Sequence, residues 1–243
     1  MTNLRSTLLQ REMFEHGFGT RRTAPDELPR ELYVLRQIHG EKIVVLSGVP
    51  GPRLSRLSEN LKISSRGLPA RPYRFDDGDA MVGDLPGVSM GIRTADCLPI
   101  LLADRVKGTA AAVHCGWRSL AAGLAGKAVS AMTGLMNART DHLLAVLGPS
   151  LGPCCYEGGE EVREGFPAEQ REEGLFEQRG KKLYLDLASG GKTQLVMEGI
   201  SPENVEEIAG CTSCNPDLFW SHRARREEER MVSFITVREP YAL

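Results

Sequence analysis

Residues 88–118 read VSMGIRTADCLPILLADRVKGTAAAVHCGWR. Three short apolar runs stand in this stretch, at 88–92, 98–103 and 109–113, and each reads as a buried strand. Arg93-Thr94-Ala95-Asp96-Cys97 separates the first two, and His114-Cys115-Gly116-Trp117-Arg118 closes the third. Beyond it Leu120, Leu124, Ala128, Ala131 and Leu135 recur at helical spacing, which predicts a helix with Ser119 as its N-cap. Upstream, 31–38 and 42–46 read as strands joined by a turn at His39-Gly40, and the turn cluster Phe75-Asp76-Asp77-Gly78-Asp79 leads into Ala80-Met81-Val82. Downstream, a strand at 142–147 opens onto the loop GPSLGPCCYEGG, Ser201-Pro202 starts a short helix or turn, and 231–237 reads as a final strand. Strands outnumber helices but several helices are credible, so the expectation is a layered α/β or α+β fold.

The remaining bulk features mainly exclude. A chain of 243 residues with 41% hydrophobic residues suits one compact domain. Its net charge of −2 gives no sign of a nucleic-acid binder. No apolar run reaches the roughly 18 residues of a membrane span, and the opening MTNLRSTLLQREMFEHG lacks the apolar core of a secretory signal. The expectation is a cytosolic chain whose six cysteines are reduced. Residues 51–74 hold Arg53, Arg56, Lys62, Arg66, Arg71 and Arg74 against the single acid Glu59. They read as an exposed loop or insertion, with a lid or a phosphate-attracting patch as the functional alternative.

Three metal-ligand types stand at strand ends: His39, Cys97 and His114. They lie far apart in the chain, so no local finger motif is present. Two imidazoles and one thiolate suit zinc and leave a fourth position for water or substrate. Asp96 could orient a ligating imidazole. The start of the helix after Gly116, with Arg118 beside it, could hold an anion.

Several strings then resemble one family closely: HGFGTR at 16–21, RQIHG at 36–40, DDGDAMV at 76–82, RTADCLPILLAD at 93–104, AAVHCGWRSLAAG at 111–123, LGPSLGPCCYEGG at 147–159 and FWSHRA at 219–224. In content and order they resemble the YfiH family, also called the polyphenol oxidase or purine nucleoside phosphorylase YfiH-type family. The resemblance implies a single domain over 1–243 with a layered α-β-β-α sandwich of mixed sheets. It implies zinc on His39, Cys97 and His114. It implies phosphorolysis of adenosine, inosine, guanosine and methylthioadenosine, and hydrolytic deamination of adenosine, so the partners are a purine nucleoside and phosphate. Asp79 and Asp96, in matching motifs, are the candidate acid or base groups. Arg118, Cys155 and Tyr156 are candidate substrate contacts.

Two departures from the family pattern stand out. Cys115 occupies a position where alanine is common and reads as a small buried residue rather than a competing ligand. The run RARREEER at 223–230 replaces a more regular turn and reads as a solvated face. Cys211-Thr212-Ser213-Cys214 could supply half a zinc site or a redox pair, but no second C-x-x-C exists, and both thiols read as small buried residues. His16, His142 and His222 have no evident partners. Copper with polyphenol oxidation is the main rival. It is disfavoured because a multicopper cluster needs more histidines than the five present. His39-Gly40-Glu41 matches the H-x-E string of zinc deaminases, but the downstream P-C-x-x-C is missing.

Overall fold

The structure, a computed structural model, describes residues 3–10, 14–47, 61–64, 76–172 and 174–238. A seven-stranded mixed sheet forms the centre. Its order is β13 (Val205–Glu207), β9 (Leu143–Leu147), β7 (Leu98–Asp104), β8 (Thr109–Cys115), β5 (Ala80–Gly83), β3 (Ile43–Leu46) and β4 (Leu61–Ser64). A four-stranded mixed sheet packs on one face, ordered β1 (Phe14–Phe18), β14 (Met231–Val237), β6 (Ser89–Thr94) and β2 (Leu32–Val34). The helices α1 (Trp117–Ala121), α2 (Leu124–Met136) and α5 (Leu187–Met197) cover the other face. A small antiparallel sheet of β10 (Glu157–Gly158), β12 (Lys182–Leu185) and β11 (Phe176–Arg179) completes the structure. Three short helices, α3 (Glu160–Glu164), α4 (Ala168–Glu172) and α6 (His222–Arg225), lie in the connections. The layered α+β architecture with mixed sheets agrees with the expectation. No helix among the described residues is long and apolar enough to cross a membrane.

The two-residue period of the strands creates two cores. Along β7, Leu98, Ile100 and Leu102 face the helices, while Leu101 and Ala103 face the four-stranded sheet. Along β8, Ala111, Val113 and Cys115 face the helices, and Ala110 and Ala112 face the second sheet. Both faces of the central strands are therefore dry, which explains why they read as continuous apolar runs.

The structure corrects four local expectations. The helix expected after Ser119 is two helices: Gly116 is the N-cap of α1, and the chain resets at Gly123, whose φ of 77° suits a residue without Cβ. Ser119 lies inside α1, fully buried. The strand expected over 31–38 is paired only at Leu32–Val34. Within the basic 51–74 segment, β4, which contains Lys62, pairs in parallel with β3 and extends the sheet; the other positions of the lid or phosphate-patch reading lie outside the described residues.

Candidate metal centre and cavity

His39 follows β2 of the four-stranded sheet. Cys97 sits in the three-residue corner between β6 of that sheet and β7 of the other. His114 lies near the end of β8. The site therefore forms where the two sheets meet at one end of their strands. The ligand atoms of all three side chains lie within 4.8 Å of one another. The His39 and His114 rings stand edge to face, with centroids 4.9 Å apart. Exposure grades from exposed His39 through half-buried Cys97 to buried His114. The donor set is soft, compact and open on one side, so the residues fit a three-ligand zinc site.

Asp79 anchors this geometry. It is fully buried at the start of the segment leading into β5. Its Oδ1 accepts the His39 amide N–H and pairs with His114 Nδ1, both at 2.9 Å. Its Oδ2 accepts the amides of Ile38 at 3.3 Å and Gly40 at 2.7 Å. One carboxylate thus sets the turn carrying the first ligand and the ring orientation of the third. Holding the proton on Nδ1 of His114 directs Nε2 towards the cluster, as metal-ligating histidines require. Asp79, rather than Asp96, fills the orienting role.

The charges in the cluster support one another. Burial alone would raise Asp79, but hydrogen bonds from His114 and the Gly40 and His39 amides outweigh it and hold the carboxyl below its usual value. Burial opposes ionisation of Cys97 too, yet His114 and His39 bring the thiol down to about 6. Burial would lower His114, but Cys97 and Asp79 raise it to about 9. Cys97 is thus poised as a thiolate, the form that binds a metal. Cys115 is different. Strand alternation places it on the helix side of β8, fully buried, and burial raises its thiol well above its usual value.

A cavity of about 500 Å³ opens over the cluster. Its lining includes Cys97, His39 and His114, an apolar side of Leu151, Leu187 and Tyr156, and the cations Arg93 and Arg223. Burial and the nearby Cys97 push the Tyr156 phenol up to about 12, and the Arg223 guanidinium sits 5.0 Å from its ring. Asp96 lines the cavity in a left-handed conformation, φ 90°. Its carboxylate accepts from Thr212 Oγ1 at 2.6 Å and from the Arg223 amide at 2.7 Å. His39 is also left-handed, φ 57°, so two residues of the site store backbone strain.

Of the other expected contacts, Tyr156 and His222 line the cavity, but Arg118 and Cys155 do not. Arg118 is exposed on α1, 4.3 Å from the Trp117 ring. Sequence reasoning missed the tail beyond Arg223. Glu228 and Arg230 line the cavity, and Glu227 accepts from the Ser221 amide at 2.7 Å and pairs with Arg21 and Arg225. The opposed blocks of 223–230, arginines followed by Glu227–Glu229, could have suggested internal pairing.

The family model described as multi-copper polyphenol oxidoreductase laccase matches residues 20–238. A protein of Shigella flexneri named purine nucleoside phosphorylase YfiH is 33% identical over 216 residues, covering 87% of this chain and 76% of its own length. A prokaryotic protein named adenosine deaminase RL5 is 34% identical over 148 residues, 60% of this chain and 56% of its own. The crystal structure of YlmD from Geobacillus stearothermophilus aligns with a TM-score of 0.78 at 22% identity over 98% of this chain and 97% of that one, which speaks for the fold. With the family model spanning residues 20–238 and the Shigella flexneri relative 33% identical over 87% of this chain, this chain belongs to the multi-copper polyphenol oxidoreductase laccase, or YfiH, family.

Proposed function

We propose that this protein is a zinc-dependent purine nucleoside phosphorylase that also deaminates adenosine. The carrying observation is the open His39–Cys97–His114 face, oriented by Asp79, at a cavity large enough for a nucleoside. The names of the Shigella flexneri relative and of RL5 support the same two reactions. Bound at this face, zinc supplies Lewis acidity, lowering the pKa of a water towards about 7 or neutralising an anionic oxygen.

The chain's own residues do the rest. Tyr156, Leu151 and Leu187 offer an aromatic and apolar wall for the purine. Arg93 and Arg223 supply positive charge for phosphate, and Arg118 adds charge from outside the lining. Asp79 is fully buried and engaged by four N–H groups, so it positions rather than transfers protons. Asp96 faces the cavity and is the group we assign to proton exchange with the substrate. In phosphorolysis a phosphate oxygen bonds to ribose C1′, the C–N bond breaks, its electron pair leaves with the purine, and Asp96 relays the proton given up by the phosphate to the purine nitrogen. In deamination water adds at purine C6 and ammonia leaves.

Product analysis tests this reading. Incubation of zinc-loaded protein with adenosine and phosphate should yield adenine with ribose 1-phosphate, and adenosine alone should yield inosine. Asp96→Asn should lower kcat while zinc stays bound. Neither product from zinc-loaded protein, with phenol oxidation by the copper form instead, refutes the proposal in favour of an oxidase.

A further inference from the structure

A second group of metal-ligand side chains lies outside the cavity lining: Cys154, Cys155, Cys211 and Cys214, with all four sulfurs within 4.8 Å of one another. We propose that these four thiolates form a closed, structural zinc site that joins the loop after β9 to the loop after β13. Cys214 Sγ lies 3.6 Å from Cys154 Sγ and 3.4 Å from Cys155 Sγ. Tetrahedral zinc with bonds of about 2.3 Å sets its sulfur atoms about 3.8 Å apart. A disulfide requires about 2.05 Å, and all four cysteines are free thiols. The four sulfurs therefore have the spacing of a shared ion rather than of covalent pairs.

The backbone around the cluster is built for this approach. Gly152 donates its N–H to Cys211 Sγ at 3.4 Å, an interaction that favours a thiolate there. A Cβ on Gly152 would stand 3.3 Å from Cys211 Cβ and 3.4 Å from Cys154 Sγ, so the two loops close tightly against the glycine backbone. Ser150 bridges Cys211 in parallel register: its N–H donates to Gly210 O at 3.2 Å, and its carbonyl accepts from Thr212 N at 3.0 Å. The C-x-x-C turn thus meets the adjacent pair Cys154-Cys155 across a short ladder. This supplies the other half of the site that a second C-x-x-C would have announced. Four donors leave no open position, so the ion holds structure and does no chemistry. It would brace two loops that carry Leu151, Tyr156, His222 and Arg223 to the cavity.

The test is metal analysis of the full chain purified with a thiol reductant. Wild-type protein should carry two zinc ions, Cys154→Ser/Cys214→Ser one, and Cys97→Ser one. Cobalt substitution gives an independent reading. Five thiolates contribute sulfur-to-cobalt charge transfer in the wild type and one remains in the double variant, so that absorption should fall by about four-fifths. If the double variant fails to fold, the wild-type stoichiometry and its cobalt spectrum decide. One ion per reduced wild-type chain that is lost in Cys97→Ser, two ions retained by the double variant, or a disulfide among these cysteines in reduced protein overturns the proposal; one ion kept by Cys97→Ser and lost by the double variant upholds it. None of these results depends on the nucleoside activity.

Discussion

Asp79→Asn is the sharpest perturbation of the metal centre, because the side chain keeps its shape and loses only its second acceptor. The carboxylate receives two N–H groups on each oxygen: His39 N and His114 Nδ1 on one, Ile38 N and Gly40 N on the other. An amide has one carbonyl oxygen, so in either orientation two of these four donors face an NH2 group. Each buried donor left without an acceptor costs about 1–3 kcal/mol, giving a loss of about 2–6 kcal/mol. If the NH2 faces His114, the imidazole shifts its proton to Nε2 and presents N–H to the metal. If it faces Ile38 and Gly40, the turn that aims His39 loosens. Either way zinc affinity should fall by about 10- to 100-fold. Urea unfolding of metal-free protein measures the first effect, and competition with a chromophoric chelator measures the second. If the variant unfolds within about 0.5 kcal/mol of the parent and holds zinc equally well, Asp79 is not the anchor.

Other changes probe the same structure from different sides. Gly116→Ala would place a Cβ 3.3 Å from both Cys97 Sγ and His39 Cδ2, while φ of −73° accepts alanine; zinc affinity should drop by about one to two orders of magnitude in the chelator assay, with unfolding of metal-free protein little changed. His16 is held neutral, chiefly by burial, with its pKa lowered from 6.5 to about 4, and its Nε2 accepts the Ser6 amide at 2.9 Å. The unfolded chain therefore binds more protons between these values, so His16 contributes stability above pH 6.5 that is lost as pH falls towards 4, up to about 3 kcal/mol. Urea midpoints at pH 7 and pH 5 should differ less in His16→Gln than in the parent. Glu206 gathers the N-terminal segment by accepting Ser6 Oγ at 2.6 Å and the Leu8 amide at 2.8 Å, so Glu206→Ala should speed hydrogen exchange at residues 6–9 without changing zinc content.

The parts of the sequence that spoke clearly were those where one physical demand dominates. Two-sided burial wrote β7, β8 and β14 as apolar runs, and the family strings carried His39, Cys97 and His114 to one place. Where two demands compete, the pattern is blurred. Residues 187–197 contain Gly190 and Gly191, poor helix formers, because α5 runs against its neighbours: a Cβ on Gly191 would meet Leu98 at 2.9 Å, and on Gly190 Leu175 at 2.6 Å. Chain adjacency to Cys97 makes Asp96 a candidate orienting carboxylate in the sequence, but contact in space runs through Asp79. The four-cysteine cluster was invisible for the same reason: its two halves are separated by the whole small sheet, α5 and β13, and only one has a recognisable spacing.

The corner between β6 and β7 passes from one sheet to the other in three residues, with Asp96 at its bend and Cys97 beside it. His39 hangs from the four-stranded layer and His114 from the seven-stranded one, so the metal centre works as a vernier across the seam. Any slip of one layer over the other changes the ligand spacing before it exposes much apolar surface. Substitutions deep in the inter-sheet core, such as Ile92→Val or Leu101→Ala, should therefore appear first as weakened metal retention at temperatures where the chain is still folded. With a metal bound by these three residues, the interior of this protein would tune it from a distance, through alignment rather than through contact.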